Sequence, residues 1–256
     1  MGNLVKMDWY RLRKSKMFII SLIVTFVLNC AWIVGCHLLI NFFKLEEIND
    51  KMDLSESISN PFSFGILMVL MFVSISTFAY ADIANGYIKN IAGQVPNKGI
   101  TVISKFIVIG IHNIIFFVAG SASIVIGNVI SGTLIVDNQV FAGILTLLIK
   151  WLLSMAISSI LLFVTTGLKS KTFASIVGVL LGSGFLFLVY MGLDSAISNI
   201  FKINDFNISD YAPDQLIREV NVAANTAVVN AIIVSVVCIV VFLTITVKVF
   251  NRKDVK

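Results

Sequence analysis

Apolar residues along this chain gather into six runs of about twenty or more positions, with short polar segments between them. The runs are 17–43, 62–80, 106–130, 140–166, 173–193 and 223–247. Each is long enough to cross a hydrocarbon core of about 30 Å as a helix. None alternates as a strand of a membrane barrel does, and an open sheet cannot hide its backbone polar groups in lipid. The pattern therefore predicts an all-α, polytopic membrane protein with six transmembrane helices in a single domain, 1–256. The connections are 44–61, 81–105, 131–139, 167–172 and 194–222, with a tail from Lys248.

Two of the polar segments have a pattern of their own. Before the first run, Val5, Trp9 and Leu12 fall at i, i+4 and i+7, with Lys6, Arg13 and Lys14 off that stripe. This predicts a short amphipathic helix over 1–16, lying on the membrane surface with its basic residues toward anionic lipid. In 81–98, Ile83, Tyr87, Ile88 and Ile91 recur at helical spacing, and Pro96-Asn97-Lys98-Gly99 reads as a turn. A short exposed helix there would be a natural docking element for a soluble partner; on the residues alone a plain reversal loop is the simpler reading.

Charge orients the chain. With the N-terminus inside, fourteen lysines and arginines lie on inner segments and four (Lys44, Lys51, Lys202 and Arg218) on outer ones, while three acidic residues lie inside and eleven outside. That excess on one side places both termini in the cytoplasm. Composition agrees with the membrane assignment: 58% of residues are hydrophobic and 13% charged, against about 45–50% and 25% in soluble domains. The basic residues flank the spans and do not share one soluble face, so a nucleic-acid partner is not indicated. Cys30, Cys36 and Cys238 all lie within apolar runs, with neither a CxxC pair nor zinc spacing, so no disulfide framework or metal site is expected. Ile33-Val34-Gly35-Cys36 resembles a lipoprotein cleavage box, but the apolar run continues to Phe43, a length that suits a span.

Several polar or small residues inside the runs are candidates for function. Lys150 is a cation within an apolar stretch. Beside Trp151 it reads first as an interfacial anchor, the ammonium snorkelling to the surface with the span running 151–168, and second as a translocation residue. His37 and His112 read as hydrogen-bonding to neighbours, and Asn29, Asn113 and Asn128 as holding helices together. Ala174, Gly178 and Gly182 recur every fourth residue, which allows close backbone approach either within the chain or at a dimer face.

Catalytic groups are not assembled. A P-loop needs GxxxxGK[ST], and the nearest stretch, Thr166–Thr172, lacks the Gly-Lys pair and the spacing. Glu46-Glu47 lies in a connection, and Leu181-Gly182-Ser183-Gly184 lacks the first glycine of a serine-protease pattern and has no histidine after it. An intramembrane enzyme is therefore the weakest reading, and an ion-coupled carrier or channel ranks above it, with Lys150 as its one intramembrane charge.

Asp82, Gly86, Ile88-Lys89, Pro96-Asn97-Lys98 and Lys105, together with the opening Asn3–Leu12, carry a resemblance. The chain resembles the membrane (permease) subunit of bacterial type-2 ATP-binding-cassette exporters. It is similar to the small Gram-positive permeases for peptide-toxin export and antimicrobial-peptide immunity. The resemblance implies a non-catalytic subunit that dimerises with itself or with a paralogue in the plasma membrane. It implies docking to a separate ATPase through a coupling helix that includes Asp82, Gly86, Tyr87, Ile88, Lys89 and Asn90. The chain would bind no cofactor itself, with ATP and magnesium held on that partner. It further implies short helices that re-enter the outer leaflet between spans five and six. Ile197, Ile200, Phe201, Ile203 and Phe206 are too apolar for a free loop, and Asp205, Asp210 and Asp214 are too charged for a span. Amphipathic peptides or lipophilic compounds are the expected cargo.

Overall fold

The computed structural model describes residues 1–44, 51–86, 99–201 and 207–252. The described α-helices are α1 (Gly2–Lys14), α2 (Lys16–Phe43), α3 (Leu54–Ser59), α4 (Gly65–Ala84), α5 (Gly99–Ser131), α6 (Val140–Leu168), α7 (Lys171–Ser183), α8 (Leu186–Phe201), α9 (Pro213–Glu219) and α10 (Val228–Arg252). Among the described residues five helices (α2, α4, α5, α6 and α10) are long and apolar enough to cross a membrane, and the bent pair α7–α8 makes a sixth when taken as one span.

The helix ends follow local chemistry. Lys44 and Lys169 adopt left-handed backbone (φ 50° and 53°) just past α2 and α6, which turns the chain out of the helix. The Ser170 hydroxyl accepts from the Phe173 amide at 3.3 Å and so caps α7. Pro213 occupies the first turn of α9, where its missing N–H costs nothing.

Packing is organised around α6, which touches α3, α4, α5, α7, α9 and α10. Its Leu153, Ala156, Ile157, Leu161 and Leu162 are fully buried. The buried Ser154, Ser158 and Ser159 keep that face narrow, and each returns its hydroxyl to a carbonyl within the helix. α4 contributes Leu67, Met71, Phe72 and Ile75 to the same core, and α5 contributes Ile109, Phe116, Phe117 and Ile124. By contrast α2 and α10 leave most of their apolar length unburied, surface that only lipid or a second apolar protein face would cover.

The fifth apolar run is not one straight helix. It breaks at Gly184, whose φ of 77° is left-handed, and α7 and α8 meet at a 73° bend. Breaking a helix frees carbonyls that must find donors elsewhere. Arg218 of α9 supplies one, its Nη2 donating to the Gly182 carbonyl at 2.6 Å. A side chain at Gly184 would collide with that guanidinium at 2.9 Å from Cζ.

The segment between α2 and α4 is more than a loop. Met52–Asp53 pairs in parallel with Leu134–Ile135. α3 then packs on α5 and α6. The chain continues through Asn60–Ser63 so close to α5 that a Cβ on Gly120 would sit 2.1 Å from the Pro61 carbonyl oxygen.

Candidate functional site

α1 is tied to the bundle by charge as well as by apolar contact. Leu12 is buried and Val5 and Trp9 pack on the core, while Lys6, Arg13 and Lys14 stay exposed. On the buried face Asp8 is 4% exposed, and its Oδ2 accepts from the Ser104 hydroxyl of α5 at 2.7 Å. One turn on, Arg11 ion-pairs with Asp82 near the end of α4 and lies 3.7 Å from Asp8. Lys105 of α5 pairs with the other Asp82 oxygen and donates to the Ala79 carbonyl at 3.1 Å. Its ammonium also stands 5.6 Å from the centre of the Phe78 ring.

Two carboxylates and two cations thus close a balanced cluster among three helices. Burial of unpaired charge is costly, and pairing with hydrogen bonds offsets it. The cluster fixes α1 against the ends of α4 and α5, which bracket residues 87–98. Sequence reasoning placed Asp82 on an exposed docking helix. The structure places it 6% exposed and facing inward. Gly86 follows with left-handed backbone (φ 62°), a conformation a side chain rarely adopts. Tyr87, Ile88, Lys89 and Asn90 lie outside the described residues.

Burial holds the Asp8 carboxyl above its ordinary value of 3.8, against the opposing hydrogen bond from Ser104 and the charge of Lys105. A raised pKa means the folded chain holds a proton that the unfolded chain releases. This contribution is complete below pH 3.8 and is lost as pH rises through the folded value. Asp8→Asn is expected to flatten the stability-versus-pH curve over that interval, measured by denaturant unfolding in detergent.

Deeper in the bundle, a polar chain joins three helices. His112 of α5 bonds Ser74 of α4 at 2.7 Å through Nε2 and Asn113 at 3.1 Å through Nδ1. Asn113 donates to Ser154 and Ser158 of α6 at 3.1 and 3.0 Å. Asn29 of α2 donates to the Pro61 carbonyl and the Ser123 hydroxyl, and accepts from the Ser63 amide, each at 3.0 Å. Asn128 donates to Ser57 at 3.2 Å. His37 pairs with Asn41 on its own helix at 2.9 Å. Apart from the His37–Asn41 pair within α2, these groups hold helices together, and they gather no catalytic constellation among the described residues, which also hold no cluster of metal-ligating side chains.

Lys150 differs from the interfacial-anchor reading. α6 runs unbroken through it, and the side chain is 5% exposed, donating to Asn60 Oδ1 at 2.6 Å. It turns inward because Asn60, at the end of α3, offers an acceptor inside the bundle, so the ammonium does not snorkel. Trp151 donates its indole N–H to the Gly110 carbonyl of α5 at 3.2 Å. Ala174, Gly178 and Gly182 face α4. Ser76 donates to the Ala174 carbonyl at 3.2 Å, and Cβ atoms at Gly178 and Gly182 would meet Phe72 at 3.4 Å and Val69 at 2.9 Å. That small-residue face is occupied within the chain, which leaves it unavailable to a second subunit.

The sequence singled out Asp82 and Lys105 but did not bring Asp8, Arg11 and Ser104 into one cluster with them. The signal available was an acidic residue in an otherwise basic amphipathic helix, four residues before Leu12 on the same face.

A family model described as ABC-2 family transporter protein matches residues 4–191. The match spans every member of the charge cluster and continues into α8. No curated protein matches the chain.

Proposed function

The chain belongs to the ABC-2 family of transporter proteins, and from that premise we propose that it is the transmembrane subunit of an ATP-driven exporter, paired with a separate ATPase. The observation that carries this reading is the family match across α1 to α8, which takes in the charge cluster beside residues 87–98. In the proposed mechanism that connection is cytoplasmic and receives the ATPase. A push on it reaches α4 through Asp82, α5 through Lys105 and α1 through Arg11 at the same time. A charge-paired junction suits such a task, because two ion pairs sharing one carboxylate couple three helices without a rigid covalent link.

The basic residues beside residues 87–98 and on α1 support placing that end of the bundle in the cytoplasm of a bacterial cell. The exposed apolar lengths of α2 and α10 support a second permease subunit, identical or paralogous, with cargo moving between the two. An amphipathic peptide or lipophilic compound fits a path lined by such helices. Peptide export and antimicrobial-peptide resistance are the biological roles this reading favours.

Two measurements test it. With the three native cysteines replaced, a cysteine at position 87 is expected to resist an impermeant thiol reagent applied to intact cells and to react after permeabilisation. Labelling from outside would reverse the orientation and remove the docking role. Efflux of cargo from cells is expected to stop when the P-loop lysine of the co-expressed ATPase is replaced. Efflux that persists would point instead to an ion-coupled carrier.

A further inference from the structure

The half of the bundle opposite α1 contains a cavity of about 210 Å³, bordered by Asn60, Phe62, Met68, Phe117, Lys150 and Arg218. Two of these six residues are cations. Lys150 lies ten residues into α6, about 15 Å along its axis, and is 5% exposed. Arg218 reaches the same space from α9. Among the described residues each spends one donor on the protein. Lys150 Nζ bonds Asn60, and Arg218 Nη2 bonds the Gly182 carbonyl.

An ammonium has three N–H groups and a guanidinium five, so donors on both remain for something else. Among the described residues no carboxylate comes within ion-pairing distance of either cation. Glu56 and Asp214 act on them only at longer range. Asp214 is engaged otherwise, accepting from the Tyr190 hydroxyl and the Gln215 amide at 3.0 Å each.

Two like charges brought to one largely apolar space repel, and the buried Lys150 loses its hydration while Arg218 keeps part of its own. This is the reverse of the balanced cluster at the α1 end, where two carboxylates answer two cations. A group carrying negative charge and several acceptor oxygens would complete this space as Asp82 completes the other. The volume admits one headgroup and the first methylenes of a chain, and Phe62, Met68 and Phe117 offer apolar contact to that chain.

We infer that this cavity binds a phosphate or carboxylate headgroup carried on an apolar tail, with Lys150 and Arg218 as its ligands. Such a headgroup belongs equally to an anionic lipid of the bilayer or to an amphipathic solute. The site is defined without reference to an ATPase.

The test uses the full chain in nanodiscs of phosphatidylcholine. Dodecyl phosphate is expected to bind and uncharged dodecanol not to. Lys150→Gln and Arg218→Gln are each expected to weaken dodecyl phosphate binding by about tenfold or more, as loss of a charge-assisted hydrogen bond does, and Lys150→Arg to retain it. Competition by phosphatidylglycerol added to the nanodisc would support the site as a lipid site. Binding unchanged by that lipid would support a site for a diffusing amphiphile. Equal binding of dodecyl phosphate and dodecanol to the parent chain overturns the inference, and that comparison needs no variant to fold. Equal affinity of the parent and both glutamine variants overturns it as well. No ATPase takes part, so failure here leaves the exporter reading standing.

Discussion

Asp82→Asn will destabilise the chain by about 3–5 kcal/mol, the cost of removing one partner from a buried charge pair. Asp82 is the shared acceptor for Arg11 and Lys105 and is 6% exposed. Without its charge Lys105 keeps only the Ala79 carbonyl and the Phe78 ring, and both of these are weaker partners than a carboxylate. Arg11 is left with Asp8, at 3.7 Å. Thermal unfolding of the purified chain in detergent reads the loss. The double variant Asp82→Asn, Lys105→Met removes one cation with the anion and is expected to recover much of it, since a charge lost with its partner leaves nothing buried and unpaired. An Asp82→Asn protein that melts with the parent would mean that water reaches the cluster freely. Charge reversal, Asp82→Lys, goes further by placing three cations together. On the docking role proposed for residues 87–98, the expected result is a chain that still inserts but no longer retains the co-expressed ATPase, because α1, α4 and α5 no longer hold the ends that flank that segment.

Gly120→Ala will cost about 1–3 kcal/mol, the usual penalty for overpacking a filled interior. The added methyl group would sit 2.1 Å from the Pro61 carbonyl oxygen, which is backbone, so either α5 or the 60–63 segment must move. That segment is fastened elsewhere: Asn29 bonds Pro61 and Ser63, and Ser121 donates to the Ile58 carbonyl at 2.7 Å. Displacement therefore strains several buried hydrogen bonds together, and it moves Asn60, the acceptor for Lys150. Gly35→Ala is the matched control. Nothing lies within 4 Å of a Cβ there, and alanine in a helix gains about 0.5–1 kcal/mol over glycine. The two glycines thus predict opposite signs for the same substitution on neighbouring helices, and unfolding midpoints measured side by side decide the matter. A Gly120→Ala chain as stable as Gly35→Ala would rule out the close approach of the turn to α5.

The roles of individual polar residues were only partly legible beforehand. Asn29, Asn113 and Asn128 stand out because an amide in an apolar run must find partners within the protein, but which helix answers each one depends on rotation about the helix axis. Lys150 stands out for the same reason. Its direction did not, because a lysine ten residues into a helix reaches the surface or the interior equally well. Asn60, ninety positions away and just past a short helix with no apolar run to announce it, decides the outcome. Gly182 and Gly184 look alike in sequence. One packs on Val69 and the other turns the backbone at the bend.

By itself the sequence determined the all-α membrane architecture, the approximate extent of the apolar helices and the amphipathic stripe of α1. These follow from length and periodicity, quantities that the solvent reads without regard to the rest of the fold. Only the tertiary structure decided that Asp82 faces inward to Arg11 and Lys105, that the fifth run bends at Gly184 over Arg218, and that Lys150 and Arg218 share one cavity. Those facts join residues from 23 to 71 positions apart, and no local pattern encodes which side of one helix will meet which side of another. Pairing a charge, filling a gap beside a glycine and capturing a freed carbonyl are settled by what arrives from elsewhere in the chain.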